Sequence, residues 1–485
     1  MFKKKVIFVV DNSLKYEEFR NTFRSFTYNE YHIDENDSNI EITFDFEIEK
    51  LSKFNPKIII EKSQIFSQLK KSGLEPVINI HDKNLKKIVF NLGMVEALSY
   101  LKLVCPKKMY VKCGSLDQEQ ILWFKKLYVN GLGEFFYVNN IKHVDIDNFI
   151  DIICDIQEDD IEKSNKELIG NLIPVGGGKD SNVTMEILSN LKAYNTAFIV
   201  NPRGATLSSV EVAGLNDNLI TVQRVLDDRM IKLNQKGFLN GHTPFSAMLA
   251  FLSVLVAYVS GKKYVILSNE SSANEPNVRG TNVNHQYSKT IEFEDDFRNY
   301  ESKYIKSNVE YFSLLRPLCE AQIAAIFSKY DKYFDVFKSC NVGSKENVWC
   351  ANCSKCLFVY IILSPYVSEE KLKKIFGKNM LADITLEKTF LELVGKGENK
   401  PFDCVGTYGE IEYSIAVTIK QKLRKHEELP RLLDLYYRKY LFSDISTVNE
   451  VVMSGFNKYI CAYNEKNNVC GKFEELLKDK LKEIK

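Results

Sequence analysis

The sequence predicts an α/β protein whose central part is a doubly wound parallel sheet, with an N-terminal α/β domain (1–165) before it and a mainly helical region (366–485) after it. Three observations predict this. Between residues 166 and 365, short β-branched and apolar runs alternate with helical patterns, as in the β-α units that build parallel sheets. The stretch LIPVGGGKDSNVTME (172–186) reads as a strand, a glycine turn and a helix start. The run Phe245–Val259 is apolar but shorter than the roughly 20 residues that cross a bilayer, so it reads as a buried helix.

In the first region, strand-like runs at Lys5–Val10, Ile40–Phe46, Lys57–Ile60, Val77–Ile80, Met109–Val111 and Glu134–Val138 alternate with helical patterns at Leu14–Thr27, Gly93–Val104 and Asp117–Tyr128. Tyr31–Asn39 is polar and reads as a loop, and Asp155–Glu167 as a charged linker or exposed helix face. In the second region the glycine turn leads into a helix to about Lys192. Strands follow at Ala197–Asn201 and Leu219–Arg224, then a polar helical piece with Asp227, Asp228 and Arg229, the buried helix, and a strand Lys263–Leu267 ending in SNESS (268–272). Ligands of such sheets sit beyond the carboxyl ends of the strands, where both the glycine turn and Ser268–Ser272 fall. In the last region Ile411–Arg424 is amphipathic, Lys472–Lys485 is a charged helix, and LDLYYRKYLF (433–442) reads as packing.

Composition narrows the function. A chain of 485 residues with 45% hydrophobic content can bury large cores, and 65 Lys plus Arg against 64 Asp plus Glu leave no overall basic footprint for nucleic acid. The basic, then apolar, start MFKKKVIFVVDN is too short in its apolar part for a signal peptide and reads as a first strand. Eleven mostly scattered cysteines suit a reducing compartment, so a cytoplasmic protein without membrane segments is expected.

The glycine turn carries the first chemistry. Gly176, Gly177 and Gly178 let backbone N–H groups approach a ligand, and the helix starting near Asp180 aims its unpaired N–H groups at the same point. This suits a phosphate or pyrophosphate, with Lys179, Asp180 and Ser181 adding a cation, a carboxylate and a hydroxyl. The order lacks the Gly-Lys-Ser/Thr of a P-loop and the spaced glycines of a dinucleotide fold. The second motif is SCNVGSKENVWCANCSKC, in which Cys340, Cys350, Cys353 and Cys356 are separated by nine, two and two residues. Four thiolates at this spacing can close on zinc as a structural site, the alternatives being an iron–sulfur cluster or unrelated thiols.

GGGKDS resembles the pyrophosphate loop of the N-type ATP pyrophosphatases, Ser-Gly-Gly-x-Asp-Ser, with Gly176 in place of the first serine. A similar late cysteine group occurs in 7-cyano-7-deazaguanine synthase of that superfamily. GGGKDS, NGHTP (240–244), SNESSA (268–273), NHQYSKTIEFE (284–294), YFSLLRPLCE (311–320), the cysteine segment with KCLFVYIILSPY (355–366) and PFDCVGT (401–407) look like the ATP-dependent UDP-N-acetylmuramoyl-L-alanyl-L-glutamate epimerases, the MurL family. So do LGMVEALSYLK (92–102) and GSLDQEQILWFKKLYVNGLGEFFYVN (114–139). The resemblance runs from about 90 to 410, and in that family glycine opens the loop.

The resemblance implies a sheet of adenine-nucleotide alpha-hydrolase type and an enzyme of peptidoglycan-precursor synthesis. A partner Mur ligase adds L-Glu to UDP-N-acetylmuramoyl-L-alanine, and this enzyme inverts it through an acyl adenylate. Gly176, Gly177, Gly178, Lys179 and Ser181 would hold the β- and γ-phosphates of ATP and Asp180 a magnesium ion. Asn201 and Arg203 would edge the adenine or ribose, and Asn269 and Glu270 would meet magnesium or ribose. Inversion needs a group on each face of the Cα, and Cys404, His285, His242 and Glu294 are the candidates. Arg279, Lys289 and Arg316 are candidates for the substrate's carboxylates or diphosphate. Each has an ordinary alternative: a structural histidine, a buried small residue, a solvated carboxylate or a surface base. Two other readings stand beside this one, a nucleobase- or tRNA-modifying ATP pyrophosphatase and a nucleotide-binding regulator without turnover.

Overall fold

The structure is a computed structural model that describes residues 10–154, 162–274, 287–344, 346–397, 400–401 and 403–485. Among the described residues eleven strands form one sheet: β1 (Ser25–Glu35), β2 (Asn39–Ile48), β3 (Ser52–Phe54), β4 (Lys57–Glu61), β5 (Lys108–Val111), β6 (Asp151–Cys154), β7 (Asn171–Pro174), β8 (Asn195–Val200), β9 (Leu219–Val225), β10 (Tyr264–Leu267) and β11 (Glu310–Ser313). Their order is β11-β10-β7-β8-β9-β4-β2-β1-β5-β6, with β3 on β2.

The five strands from β7 to β11 pair in parallel. The chain runs outward from β7 through β8 to β9, then crosses back to β10 and out to β11, which is the strand order of a doubly wound sheet. The reversal lies between β7 and β10. The crevice at their carboxyl ends is therefore flanked by the glycine turn and by residues 268–272. The sheet continues through an antiparallel β4–β9 pairing into the first region, so strands on both sides of residue 165 share one hydrogen-bonded ladder.

Local sequence explains the well-formed elements. In β2 the residues Ile40, Ile42, Phe44, Phe46 and Ile48 are buried and alternate with half-buried ones, the period of a strand with one face in the core. The helix Phe245–Val259 buries nearly all its side chains between the sheet and the helix Lys83–Glu96, as its lack of a polar face requires. Helix Gln118–Gly131 starts where Asp117 accepts from the Gln120 N–H at 2.8 Å and Gln120 returns a bond.

Several elements differ from expectation. Glu134–Val138 is the helix Gly133–Val138, packed directly after Gln118–Gly131. Its aromatic content favours a strand, but Phe135 and Phe136 find their contacts, with each other and with Phe149, from a helix. Val77–Ile80 forms no strand, and the first helix stops at Thr22 so that β1 starts at Ser25. Most of the polar stretch Tyr31–Asn39 belongs to β1, where Tyr31 and Ile33 pair with Phe44 and Ile42. Pairing with an apolar neighbour outweighs its polarity. Lys5–Val10, apart from Val10, and residues 155–161 lie outside the described residues.

The last region is helical, as expected. Tyr408–Arg424 buries Ile411, Ile415 and Ile419, and the final helix Lys472–Lys482 sets Phe473 against Tyr264 of β10 and Phe312 of β11. Leu433 and Tyr436 are core residues, although Phe442 is exposed. No helix among the described residues is long and apolar enough to cross a membrane.

Candidate active site and metal centre

The glycine turn is built by close backbone approach. Gly177 has φ +75°, and a Cβ there would lie 2.9 Å from the Ala205 carbonyl carbon and the Thr206 nitrogen. Gly178 is extended and caps the helix Lys179–Ile187, while its carbonyl accepts from the Ser181 hydroxyl at 3.2 Å. A Cβ on Gly176 would meet nothing within 4 Å, so the position facing the crevice has room for a ligand or a side chain. Gly177→Ala is expected to destabilise the protein by about 1–3 kcal/mol through left-handed strain and the backbone clash. Gly176→Ala should stay within about 0.5 kcal/mol, and equal losses in urea unfolding would refute this division of roles.

Behind the turn lies a buried charge cluster. The Lys179 ammonium, 2% exposed, donates to Asp180 and to Glu320, itself 2% exposed. Burial pushes the Lys179 ammonium down, but the two carboxylates more than offset this and hold it charged. Asp180 would be raised by burial, yet Lys179, Lys355 and Lys289 hold it below the usual carboxylate range. Glu320 goes the other way. Burial, with Asp180 and Glu270 nearby, pushes it up from 4.5 to about 8 against the pull of Lys179.

That shift fixes the sign of a pH effect. Between about pH 4.5 and 8 the folded protein keeps a proton that the unfolded chain releases, so Glu320 makes stability fall as pH rises through this window. Glu320→Gln is expected to flatten that slope in denaturant titrations at several pH values. An unchanged slope would assign it to another group.

The expected residues take distinct places. Lys289 donates to the Cys404 sulfur at 3.3 Å, and its ammonium is held well above its ordinary value, first by Cys404, against burial. Lys355 donates to the Cys404 carbonyl. Glu270 is buried beside the cluster, and Asn269 donates to Ser313 at 3.2 Å. Asn201, with φ +50°, exchanges two hydrogen bonds with the Arg224 backbone and ties β8 to β9, while Arg203 reaches Ser344 from an exposed position. His242 lies with Nδ1 3.7 Å from Glu134. His285 and Arg279 lie outside the described residues.

Arg316 and Glu294 meet each other. The Arg316 guanidinium, fully buried, donates to Glu294 at 3.0 and 3.3 Å and to the carbonyls of Glu270 and Lys289 at 2.7 Å each. It thus pins two site loops together. Arg316→Met leaves Glu294 buried without its cation and should cost about 3–5 kcal/mol, whereas a loss below about 1 kcal/mol in urea unfolding would show the pair to be dispensable.

Glu320, Lys355 and Glu410 were not singled out from sequence, although YFSLLRPLCE and KCLFVYIILSPY contain the first two. Glu410 caps its own helix through Thr407 and accepts from Ser272 at 3.0 Å, joining the C-terminal region to the loop after β10.

Cys340, Cys350, Cys353 and Cys356 converge so that all four sulfurs lie within 4.8 Å of one another. Pair distances are 3.9 Å for Cys340–Cys353, 3.7 Å for Cys350–Cys356 and 3.4 Å for Cys353–Cys356. A tetrahedral ion with sulfur bonds of about 2.3 Å requires sulfur separations of about 3.8 Å. The Gly343 and Cys350 N–H groups point at the Cys340 sulfur, at 3.1 and 3.4 Å, and would stabilise a thiolate. The donor set fits a structural metal ion. Asp403 accepts from Asn341 and Ser354 of this segment and so holds Cys404 next to the centre.

Comparison with known proteins gives the family. The family model of the MurL N-terminal domain matches residues 17–314, and that of the MurL C-terminal domain matches residues 336–435. The chain is 32% identical over 356 residues to the UDP-N-acetyl-alpha-D-muramoyl-L-alanyl-L-glutamate epimerase of a Micromonospora species, covering 72% of this chain and 78% of that protein. Proteins of the same name from Xanthomonas oryzae pv. oryzae and Salinispora tropica are each 33% identical, over 67% and 68% of this chain and 73% and 72% of theirs. No solved structure matches significantly. With both family domains matched in order, across the glycine turn and the cysteine centre alike, the chain belongs to the MurL family.

Proposed function

We propose that this protein inverts the terminal L-glutamate of UDP-N-acetylmuramoyl-L-alanyl-L-glutamate to D-glutamate, coupled to cleavage of ATP into AMP and pyrophosphate, in peptidoglycan-precursor synthesis. The observation that carries this is the glycine turn, with Asp180 beside it, at the switch point of a doubly wound sheet in a chain of this family. The coupling has a physical reason. Ionising the Cα–H beside a free carboxylate would place two negative charges together, whereas an acyl adenylate removes the first and lets the carbanion delocalise as an enolate.

Gly176, Gly177, Gly178 and Ser181 then offer N–H groups and a hydroxyl to the β- and γ-phosphates, with Lys179 as the cation beneath them. Asp180, partly open to the crevice, is the residue to hold magnesium, which would neutralise phosphate charge. Cys404 takes the role of base, with Lys289 stabilising its thiolate. Asn201, Arg203, Asn269 and Glu270 line the nucleotide side, while Arg279, His285 and His242 remain for substrate contact. An adenine-nucleotide alpha-hydrolase type domain at 166–365, zinc in its cysteine site, a cytoplasmic location for this protein and an upstream Mur ligase that adds L-Glu complete the proposal.

Incubation with the L,L-dipeptide precursor, ATP and magnesium, followed by chiral analysis of the released glutamate, tests the proposal. D-Glu together with AMP is expected; absence of both would refute it.

A further inference from the structure

We propose that Lys355 is a pyrophosphate-binding residue, whose ammonium completes the cradle of the glycine turn and neutralises the charge that collects on the departing pyrophosphate. This rests on the reading of ATP cleavage to AMP and pyrophosphate, and adds to it a cation from outside the glycine motif.

The partners of the nearby lysines show which positive charge is uncommitted. Lys179, Lys289 and Lys355 are all close enough for their charges to act on Asp180. Lys179 donates to both Asp180 and Glu320, so two carboxylates share its charge. Lys289 faces the Cys404 sulfur at 3.3 Å. Lys355, 7% exposed, donates only to the Cys404 carbonyl and lies over the Phe358 ring, 5.1 Å from its centre. It therefore has neutral partners alone among the described residues. An ammonium taken out of water without an anion is costly, and at the edge of a ligand site the ligand can supply the missing charge.

The lysine is also held in place against the glycine turn. It lies in the first turn of the helix Ser354–Leu363, next to Cys356. The cysteine segment leading into this helix packs directly on the turn: the Lys338 N–H donates to the Gly177 carbonyl at 2.8 Å, and a Cβ on Gly178 would meet the Ser339 Cβ at 3.3 Å. Cys340 follows and joins Cys356 in the four-sulfur cluster, so turn and helix are fixed to each other. At Gly176, by contrast, nothing lies within 4 Å of a Cβ, which leaves open space for phosphate oxygens.

Adenylation gives such a cation a task. An oxygen of the substrate carboxylate bonds to the α-phosphorus, the bond from that phosphorus to the bridging oxygen breaks, and the electron pair leaves with pyrophosphate. Negative charge grows on the leaving group, so a fixed ammonium beside it favours the transition state over bound ATP. The ordinary alternative is that Lys355, adjacent to Cys356, balances the charge of the four thiolates.

Lys355→Met separates these roles when calorimetry with inorganic pyrophosphate and with magnesium and ATP is combined with zinc analysis and with pyrophosphate release on the L,L-dipeptide precursor. Both affinities are expected to weaken at least about tenfold and release to slow at least about 100-fold, at wild-type zinc content. Lys355→Arg should recover at least about tenfold in release, because it restores the charge. Affinities for pyrophosphate and ATP within about threefold of wild type in Lys355→Met would overturn the assignment. So would zinc below about half of the wild-type content, which would give the ammonium to the thiolates. Weaker binding of the dipeptide precursor with unchanged pyrophosphate affinity would also overturn it, in favour of a substrate carboxylate. If the methionine variant does not fold, Lys355→Gln is read by the same affinities and zinc content. Wild-type protein that binds neither ATP nor pyrophosphate would defeat the ATP-cleavage reading and this assignment together, whereas the variant outcomes bear on Lys355 alone.

Discussion

Replacing Cys356 by serine is expected to abolish metal binding at the four-cysteine site and to lower stability by more than about 3 kcal/mol. The magnitude follows from linkage. A structural zinc site contributes roughly 10–16 kcal/mol of apparent binding energy in isolated peptides, comparable to the whole stability of a typical domain, because the unfolded chain does not hold the site. Cys356 is fully buried in the first turn of the helix Ser354–Leu363, whose next residues, Leu357 to Leu363, are core. A freed thiolate set there would leave like charges in a poorly solvated pocket. Elemental analysis should find about one zinc per chain in the wild type and under half in the variant, with a lowered unfolding midpoint. Cys470→Ser, at an exposed cysteine, should change neither. A Cys356→Ser protein with full zinc content, or an iron–sulfur absorbance in the wild type, would refute the structural-zinc assignment.

The cysteine centre was legible because its ligands are close in sequence, and the glycine turn because strand, glycines and helix start are contiguous. The same locality explains the elements read well. In β2 and in Phe245–Val259 the hydrophobic pattern is the burial pattern. Where a neighbour decides, the reading failed: the polar half of β1 is a strand only because β2 offers it a ladder, and Gly133–Val138 is a helix because of what packs around it. The antiparallel β4–β9 join, which runs one sheet through two regions, leaves no trace in composition.

The site divides in the same way. Lys179 and Glu320 meet across 141 positions and Lys289 and Cys404 across 115, so neither pair has a local signature. Arg316 shows the converse. As a lone arginine it reads as a substrate contact, whereas its partners are Glu294 and two carbonyls, and its charge is spent on holding loops.

If Cys404 is the base proposed above, Lys289→Met is expected to slow inversion by about 10²–10⁴-fold, with a much smaller effect on pyrophosphate release, because it removes the ammonium 3.3 Å from the sulfur that favours its thiolate. The backbone role of this residue survives the change, since the Lys289 carbonyl still accepts from Arg316 and Thr290 still caps the helix Ile291–Tyr300. Two explanations of Lys289 then predict different kinetics. A substrate-carboxylate contact made equally in ground and transition states would raise KM and leave kcat alone. Loss of a group that charges the thiolate lowers kcat and also lowers the fraction of Cys404 present as the reactive thiolate. Alkylation of the Cys404 peptide by iodoacetamide at neutral pH, followed by mass spectrometry, should therefore slow at least tenfold in Lys289→Met. Faster or equal labelling with an unchanged kcat would remove Lys289 from the base and return it to substrate binding, and Cys404 would lose its strongest physical argument with it.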